Sequence, residues 1–320
     1  MSIFDLIKHF ASGIAESRKR RKIAACRIRM GAAHRRQDWD RCLAECRRIL
    51  ELDPKANDAR AAIPGYLFFA GRIEEAEAAF RQALELDPDN ARLHHAYAGF
   101  LLTRKRFEES EAENRRAIEL DPKRGEFYCQ MGFILIEMGR NEEAEKTLEH
   151  AVELDRINAH SYWGLGQLYF ARGLYAEAES MFSFCLNLEP GDHRAHARLG
   201  DIAVKSGKLP EAEKHYRRAL EIKPDFAGAH SCLGLVLSRM GRHEDADALY
   251  RRALELAPDH ATTHYNMACN CARAGRRDEA VRRLSRSMEL DPKFREAART
   301  DTDFDPLRDD GEFQGLLDER

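Results

Sequence analysis

The sequence predicts an all-α chain built as a tandem stack of antiparallel helix pairs. Three ladders with one spacing predict it. Proline recurs at Pro54, Pro88, Pro122, Pro190, Pro224, Pro258 and Pro292, every 34 residues, with Arg156 standing in the one missing place. Glycine keeps the same interval at Gly71, Gly139, Gly173, Gly207, Gly241 and Gly275, with Lys105 in the gap. A small residue keeps it at Ala76, Ser110, Ala144, Ala178, Ala212, Ala246 and Ala280. A fixed period of this length marks a repeat architecture. It gives eight repeats, at 23–56, 57–90, 91–124, 125–158, 159–192, 193–226, 227–260 and 261–294.

Each element of a repeat has a local reason. Tyr162, Leu165, Gly166 and Tyr169 recur at intervals of three and four, the spacing of one helix face. After Gly173, Ala178, Phe182, Cys185 and Leu186 do the same. Glycine between the two segments allows a tight turn. Proline after the second ends it, because it lacks an N–H and disfavours helix in the residue before it. Gly132, Gly166, Gly200 and Gly234 on the first helix, with the alanine ladder on the second, allow close helix approach. Pro64-Gly65 breaks the pattern midway along the first helix of repeat two, where a kink or a late helix start is expected.

Residues 23–294 resemble the tetratricopeptide repeat (TPR) family, whose W-L-G-Y-A-F-P pattern has this period. Repeat five matches closely through Tyr162, Leu165, Gly166, Tyr169, Ala178, Phe182 and Pro190. Repeat one is the poorest match, with Cys26, Cys42 and Cys46 in core places. The resemblance implies a right-handed superhelical α-solenoid with a concave inner face. Stacking itself follows from physics: one helix pair cannot bury its apolar face alone, so neighbours cover it.

Composition excludes several classes. The 320 residues are 43% hydrophobic and 33% charged, and no apolar run approaches the length of a spanning helix. Eight cysteines without a CxxC pair point to a reducing compartment, so a cytoplasmic protein is expected, with peripheral membrane contact as a variant. "MSIFDLIKHF" does not read as a secretory signal. There is no HExxH, GxSxG or P-loop, so no enzyme, cofactor or metal is expected. The histidines at 94, 196, 230 and 264 share one repeat place and read as packing residues, as do the three cysteines of repeat one. Arg81/Glu85, Arg217/Glu221 and Arg251/Glu255 read as pairs on a solvated outer face, so the arginines do not call for nucleic acid.

The two ends differ from the repeats. Net charge is −3, yet residues 1–50 hold 13 Lys and Arg against 5 acids, and residues 301–320 hold eight acids and two arginines. Segment 1–22 is expected to be an amphipathic, basic helix: Ile3, Phe4, Ile7, Phe10 and Ile14 form a stripe ahead of Arg18, Lys19, Arg20, Arg21 and Lys22. It either caps the array or docks, on protein or on an anionic membrane. Segment 295–320 is expected to cap the last repeat through Phe304, Leu307, Phe313, Leu316 and Leu317. Head-to-tail pairing of the basic head with Asp301, Asp303, Asp305, Asp309 and Asp310 would give weak self-association.

The resemblance implies that ligand contacts come from the inward places of each first helix. Repeats two to five supply Phe68, Phe69, His95, Leu102, Cys129, Phe133, Ile136, Trp163, Gln167 and Phe170; repeats six to eight supply Arg194, Asp201, Lys205, Arg239, Tyr265 and Arg273. The asparagines of family members that clamp a chaperone C-terminus are missing. The expected function is therefore a non-enzymatic scaffold that holds a peptide or protein segment with an acidic flank. Its groove is apolar and aromatic in repeats two to five and basic in repeats six to eight. The alternative is a membrane-surface adaptor recruited through the N-terminal segment.

Overall fold

The computed structural model describes residues 3–318, with side chains described from Glu16 onward. The chain divides into two compact bodies, residues 1–156 and 157–320. In the first, antiparallel neighbours form the pairs α1 (Ile3–Arg35) with α2 (Trp39–Leu52), α3 (Asn57–Phe69) with α4 (Ile73–Leu86), α5 (Ala91–Thr103) with α6 (Phe107–Leu120), and α7 (Gly125–Glu137) with α8 (Asn141–Leu154). In the second, the pairs are α9 (Ala159–Ala171) with α10 (Tyr175–Leu188), α11 (His193–Lys205) with α12 (Leu209–Ile222), α13 (Ala227–Arg239) with α14 (His243–Leu256), and α15 (Ala261–Arg273) with α16 (Arg277–Leu290). The chain then continues as α17 (Lys293–Thr300), a 3-10 helix (Thr302–Leu307) and α18 (Gly311–Asp318). No strand occurs among the described residues.

The turn inside each pair requires one left-handed residue. Gly71, Gly139, Gly173, Gly207, Gly241 and Gly275 sit there at φ between 72° and 78°. Lys105 (φ 58°) and Gln37 (φ 57°) occupy the same place in repeats three and one, where a side chain costs about 1 kcal/mol or more.

Close approach of the paired helices also has a physical reason. A Cβ added at Gly166, Gly200 or Gly234 would lie 2.8, 2.9 and 2.8 Å from the rings of Phe182, Tyr216 and Tyr250. The large residue of the second helix thus fills the space that glycine leaves on the first. Pro64 occupies the equivalent place of repeat two and is buried. The late helix start expected there does not occur: α3 begins at Asn57 and carries Pro64 inside it. Proline leaves the Arg60 carbonyl without its usual N–H donor within the helix.

Neighbouring repeats are joined by charge. The arginine that opens a second helix reaches back to an acid on the second helix of the repeat before. Arg106 meets Glu77 at 2.7 Å and Arg140 meets Glu111 at 2.8 Å. Arg242 meets Glu213 at 2.9 Å and Arg276 meets Asp247 at 2.5 Å. Histidine adds a second link: the Nε2 of His94, His230 and His264 donates to the carbonyl of Pro88, Pro224 and Pro258 at 2.8–2.9 Å.

The outer-face pairs differ from those expected. Arg81 pairs with Glu77 and Arg217 with Glu213, four residues earlier, while Glu85 and Glu221 are not their partners. Glutamate N-terminal to the cation is the better helical orientation. Arg251 and Glu255 likewise do not pair with one another; Glu255 pairs with Arg252.

At the N-terminal end, α1 runs through residue 22 without a break, so segment 1–22 and the first helix of repeat one are one helix. The thiols of repeat one are engaged separately. Cys46 Sγ lies 3.3 Å from Met30 Sδ, Cys42 Sγ reaches the Met30 carbonyl at 3.6 Å, and Arg29 donates to Cys26 Sγ at 3.1 Å. Burial pushes the Cys46 thiol up to about 12.

At the C-terminal end, Phe304, Leu307, Phe313 and Leu317 are buried in the same core as Tyr265, Leu284 and Phe294. This packing alters the expected use of the acidic tail. Asp303 pairs with Arg273, Asp310 with Arg277 and Asp305 with Arg308, while Asp301 accepts from Tyr265 Oη. Four of the five aspartates proposed for head-to-tail pairing are therefore engaged within their own chain.

Candidate functional site

Within the second body, a cavity of about 520 Å³ opens across repeats five, six and seven. Helix packing places its walls. Trp163 comes from α9, Arg194, Ala197, Arg198 and Asp201 from α11, Tyr216 from α12, and Gly228, Ala229 and Cys232 from the start of α13; His193, Lys223 and Phe226 complete it.

The walls are aromatic and held in place. Trp163 packs edge-on against Phe182 at 5.2 Å, and the Arg194 guanidinium lies over the Trp163 ring at 5.0 Å. His193 stands edge-on to Phe226 at 5.2 Å. Arg198 covers Phe170 at 5.7 Å and binds Asp201 at 3.1 Å. Tyr216 donates to the other oxygen of Asp201 at 2.6 Å. Arg194 is fixed by Asp192, which also accepts from the Arg194 backbone N–H at 2.8 Å. Burial raises the Cys232 thiol to about 11, so it lines the wall as a neutral group. Lys223 makes no ion pair among the described residues. The result is an apolar hollow with a cationic rim and one carboxylate already accepting two donors.

The expected ligand residues are divided by their surroundings. Trp163, Arg194 and Asp201 meet in this cavity. Phe170 lies against it through Arg198, and Gln167 is half-buried on the same helix. Lys205 and Arg239 are exposed and make no ion pair among the described residues. Arg273 leaves the basic ladder they were expected to form. Asp303 holds its guanidinium at 2.7 and 2.5 Å, and it donates to Ser238 Oγ at 3.0 Å. Tyr265 is also removed from any inner wall: it is buried and stacked on Phe294 at 4.7 Å.

In the first body, Leu102, Phe133 and Ile136 are half-buried and Cys129 is buried. His95 is engaged internally, on Asn114 at 3.3 Å and against the Phe127 ring at 4.8 Å. Phe68 packs edge-on to Phe100, whereas Phe69 is 58% exposed and stacks on Trp39 at 5.1 Å. Tyr66 and His34 extend this aromatic group. Arg18, Arg20 and Arg21 are exposed, and Arg20 pairs with Glu16. The side chains of Ile3, Phe4, Ile7 and Phe10 lie outside the described residues.

Periodicity does not single out His193, Arg198, Tyr216, Lys223 or Phe226. They stand outside the inward places of the first helices, and only the stacking of three repeats brings them together. The signal available in the sequence is compositional: repeats six and seven are where the first-helix places turn from aromatic to basic.

Among the described residues, one group of three could hold a metal ion, Cys269 with Asp301 and Asp303. It fits poorly. Arg273 already neutralises Asp303, and burial holds the Cys269 thiol protonated well above its usual range. No helix is long and apolar enough to cross a membrane among the described residues.

No curated protein matches the sequence significantly. Solved structures share the fold. A chain in the structure of the APC/C hetero-tetramer Cut9–Hcn1 is 19% identical with a TM-score of 0.66, covering 83% of this chain and 53% of that one. PilF of Pseudomonas aeruginosa is 16% identical with a TM-score of 0.60, covering 67% and 99%. A tetratricopeptide repeat protein of Parabacteroides merdae is 14% identical with a TM-score of 0.58, covering 77% and 98%. These are solenoids of helix pairs. Models described as tetratricopeptide repeat match residues 67–128, 123–188 and 225–293, and one described as TPR repeat matches 200–241. The chain belongs to the tetratricopeptide repeat family.

Proposed function

We propose that this protein is a non-enzymatic interaction scaffold whose cavity across repeats five to seven receives an apolar or aromatic side chain of a bound peptide. Acidic residues of the peptide then meet Lys223, with Lys205 and Arg239 extending the cationic surface. The observation that carries this reading is the cavity itself. Its volume lies within the usual range of ligand sites, and a few oriented charges surround an apolar lining. Family membership supports the coarser reading, since repeats of this kind generally serve as non-catalytic scaffolds.

A displayed peptide library screened against the full chain should enrich sequences that place an aromatic or large apolar residue beside Asp or Glu. Trp163→Ala should weaken a selected peptide about thirtyfold, equal to ~2 kcal/mol. Lys223→Glu, which touches no core, should weaken it as well. Unchanged affinity in both variants would rule the cavity out as the site.

A second reading has its own observation. Most described arginines beyond repeat one have an acid within ion-pair distance, whereas Arg18, Arg21, Lys22, Arg35, Arg36, Arg41, Arg47 and Arg48 cluster at the N-terminal end and make no ion pair among the described residues. Polybasic surfaces of this kind gain about 1 kcal/mol per cation near anionic lipid. The apolar stripe read in the sequence at Ile3, Phe4, Ile7 and Phe10 would supply the anchor. Under this reading the scaffold is an adaptor at a membrane surface. The full chain should float with phosphatidylserine vesicles at low salt, and Arg18→Glu/Arg21→Glu should abolish flotation. Equal flotation of both proteins would overturn it.

A further inference from the structure

The shared histidine place of the first helices behaves differently in repeat six. In repeat three, His94 gives its Nε2–H to the Pro88 carbonyl and sets Nδ1 2.6 Å from Glu113 on the second helix, an ordinary pair. In repeats seven and eight, His230 and His264 use Nε2 in the same way and leave Nδ1 buried with no hydrogen-bond partner. In repeats three, seven and eight Nε2 is thus held by a proline carbonyl, and Nδ1 either pairs with an acid of the second helix or has no partner. In repeat six the residue opposite is not glutamate but His215. The two Nδ1 atoms, of His196 and His215, face each other at 3.5 Å.

Two imidazole nitrogens at that separation form either one long hydrogen bond or a chelating pair. Two nitrogen ligands about 2.0–2.1 Å from a tetrahedral Zn²⁺ lie about 3.4 Å apart. The observed spacing meets that requirement with little adjustment of either ring. Both rings are half-buried, and burial, the largest cause, holds both below the usual imidazole range and so neutral at physiological pH. Glu179 and Glu211 line a small recess beside His215 and contribute negative potential there. Water can complete the coordination sphere, because neither ring is sealed from solvent.

We propose that His196 and His215 form a two-histidine site for a divalent transition-metal ion such as Zn²⁺ on repeat six. Imidazole pairs suit Zn²⁺, Ni²⁺ and Cu²⁺ and not Mg²⁺ or Ca²⁺. The site joins α11 to α12 and so clamps the helix pair that carries Arg194, Arg198, Asp201 and Tyr216. The proposal does not rest on peptide binding and stands if that reading fails.

Calorimetric titration of the full chain with Zn²⁺ should give one site per chain at micromolar concentrations. His215→Glu restores the pair seen in repeat three and should weaken Zn²⁺ at least tenfold while leaving the melting temperature of the metal-free protein unchanged. His196→Gln should weaken it equally. Co²⁺ in place of Zn²⁺ should give visible bands of nitrogen and oxygen ligation without a thiolate charge-transfer band. No binding to the wild type at 100 μM Zn²⁺, undiminished binding in either variant, or a thiolate band would overturn the assignment.

Discussion

Phe304→Ala is expected to destabilise the C-terminal end by about 3–5 kcal/mol, the range for emptying a buried aromatic site. Phe304 is fully buried, edge-on to Tyr265 at 5.8 Å and tilted against Phe313 at 5.5 Å. It sits in a 3-10 helix that Asp301 opens by accepting from the Asp303 N–H at 3.0 Å. The same short segment holds Arg273 through Asp303 and Tyr265 through Asp301. Loss of the ring therefore loosens a cover that also carries polar links to repeat eight. In a tandem array stability is a sum of repeat and neighbour terms, so the loss should be local. Hydrogen exchange should quicken across α15, α16 and the C-terminal helices, with repeats two to four unchanged. A loss below 1 kcal/mol, or faster exchange along the whole chain, would show that this segment does not close the last repeat as a local cap.

How far the molecule was legible in its sequence depends on which residues are periodic. The glycine at the left-handed turn, the small residue facing a large one and the proline stop each have one physical cause that repeats every 34 residues. At Pro64 the lost helix bond and the clash with the Arg60 carbonyl do not delay the helix start: α3 begins at Asn57 and carries the proline inside it. Its ring is buried in the place where repeats three to eight put glycine or alanine, and the helix persists. The charges were harder. Arg106 has one acid at a helical neighbour distance, Glu109, and another 29 residues back, Glu77, and local spacing finds only the first. Glu77 and Glu109 both bind it. Arg273 was read as a free cation because its partner, Asp303, lies in the aperiodic tail. Trp163, Arg194 and Asp201 were visible as inward places. The cavity they line was not, since Tyr216 and Phe226 join it only through stacking of successive repeats.

Asp247→Ala is expected to cost about 3 kcal/mol and to uncouple repeats seven and eight. Asp247 is 3% exposed and accepts from Asn270 Nδ2 at 2.7 Å and from Arg276 Nη1 at 2.5 Å. Asn270 is itself fully buried, and Arg276 Nη2 already lacks a hydrogen-bond partner. Removing the carboxylate takes one acceptor from the buried Asn270 amide, whose nitrogen keeps the His243 carbonyl at 3.1 Å, and the nearer of two acids from the Arg276 guanidinium. Breaking a fully buried pair costs about 3–5 kcal/mol; the lower end applies because the Arg276 side chain is 35% exposed and keeps Glu279 at 3.1 Å. Glu111→Ala is the comparison within the same protein. It breaks the equivalent link to Arg140, whose side chain is 34% exposed and retains Glu143 at 2.6 Å, together with the exposed Arg115 pair on its own helix. Glu111 contacts no buried amide of the Asn270 kind, so its loss should cost about 1 kcal/mol. Urea denaturation of the two variants, followed by tyrosine and tryptophan fluorescence, measures the difference. Asp247→Ala should also separate the unfolding of α15–α18 from that of the preceding repeats, and addition of Arg276→Met should recover part of the loss by removing the stranded charge. If both acids prove equally dispensable, the arginine links are surface pairs and repeats seven and eight are coupled by apolar packing alone.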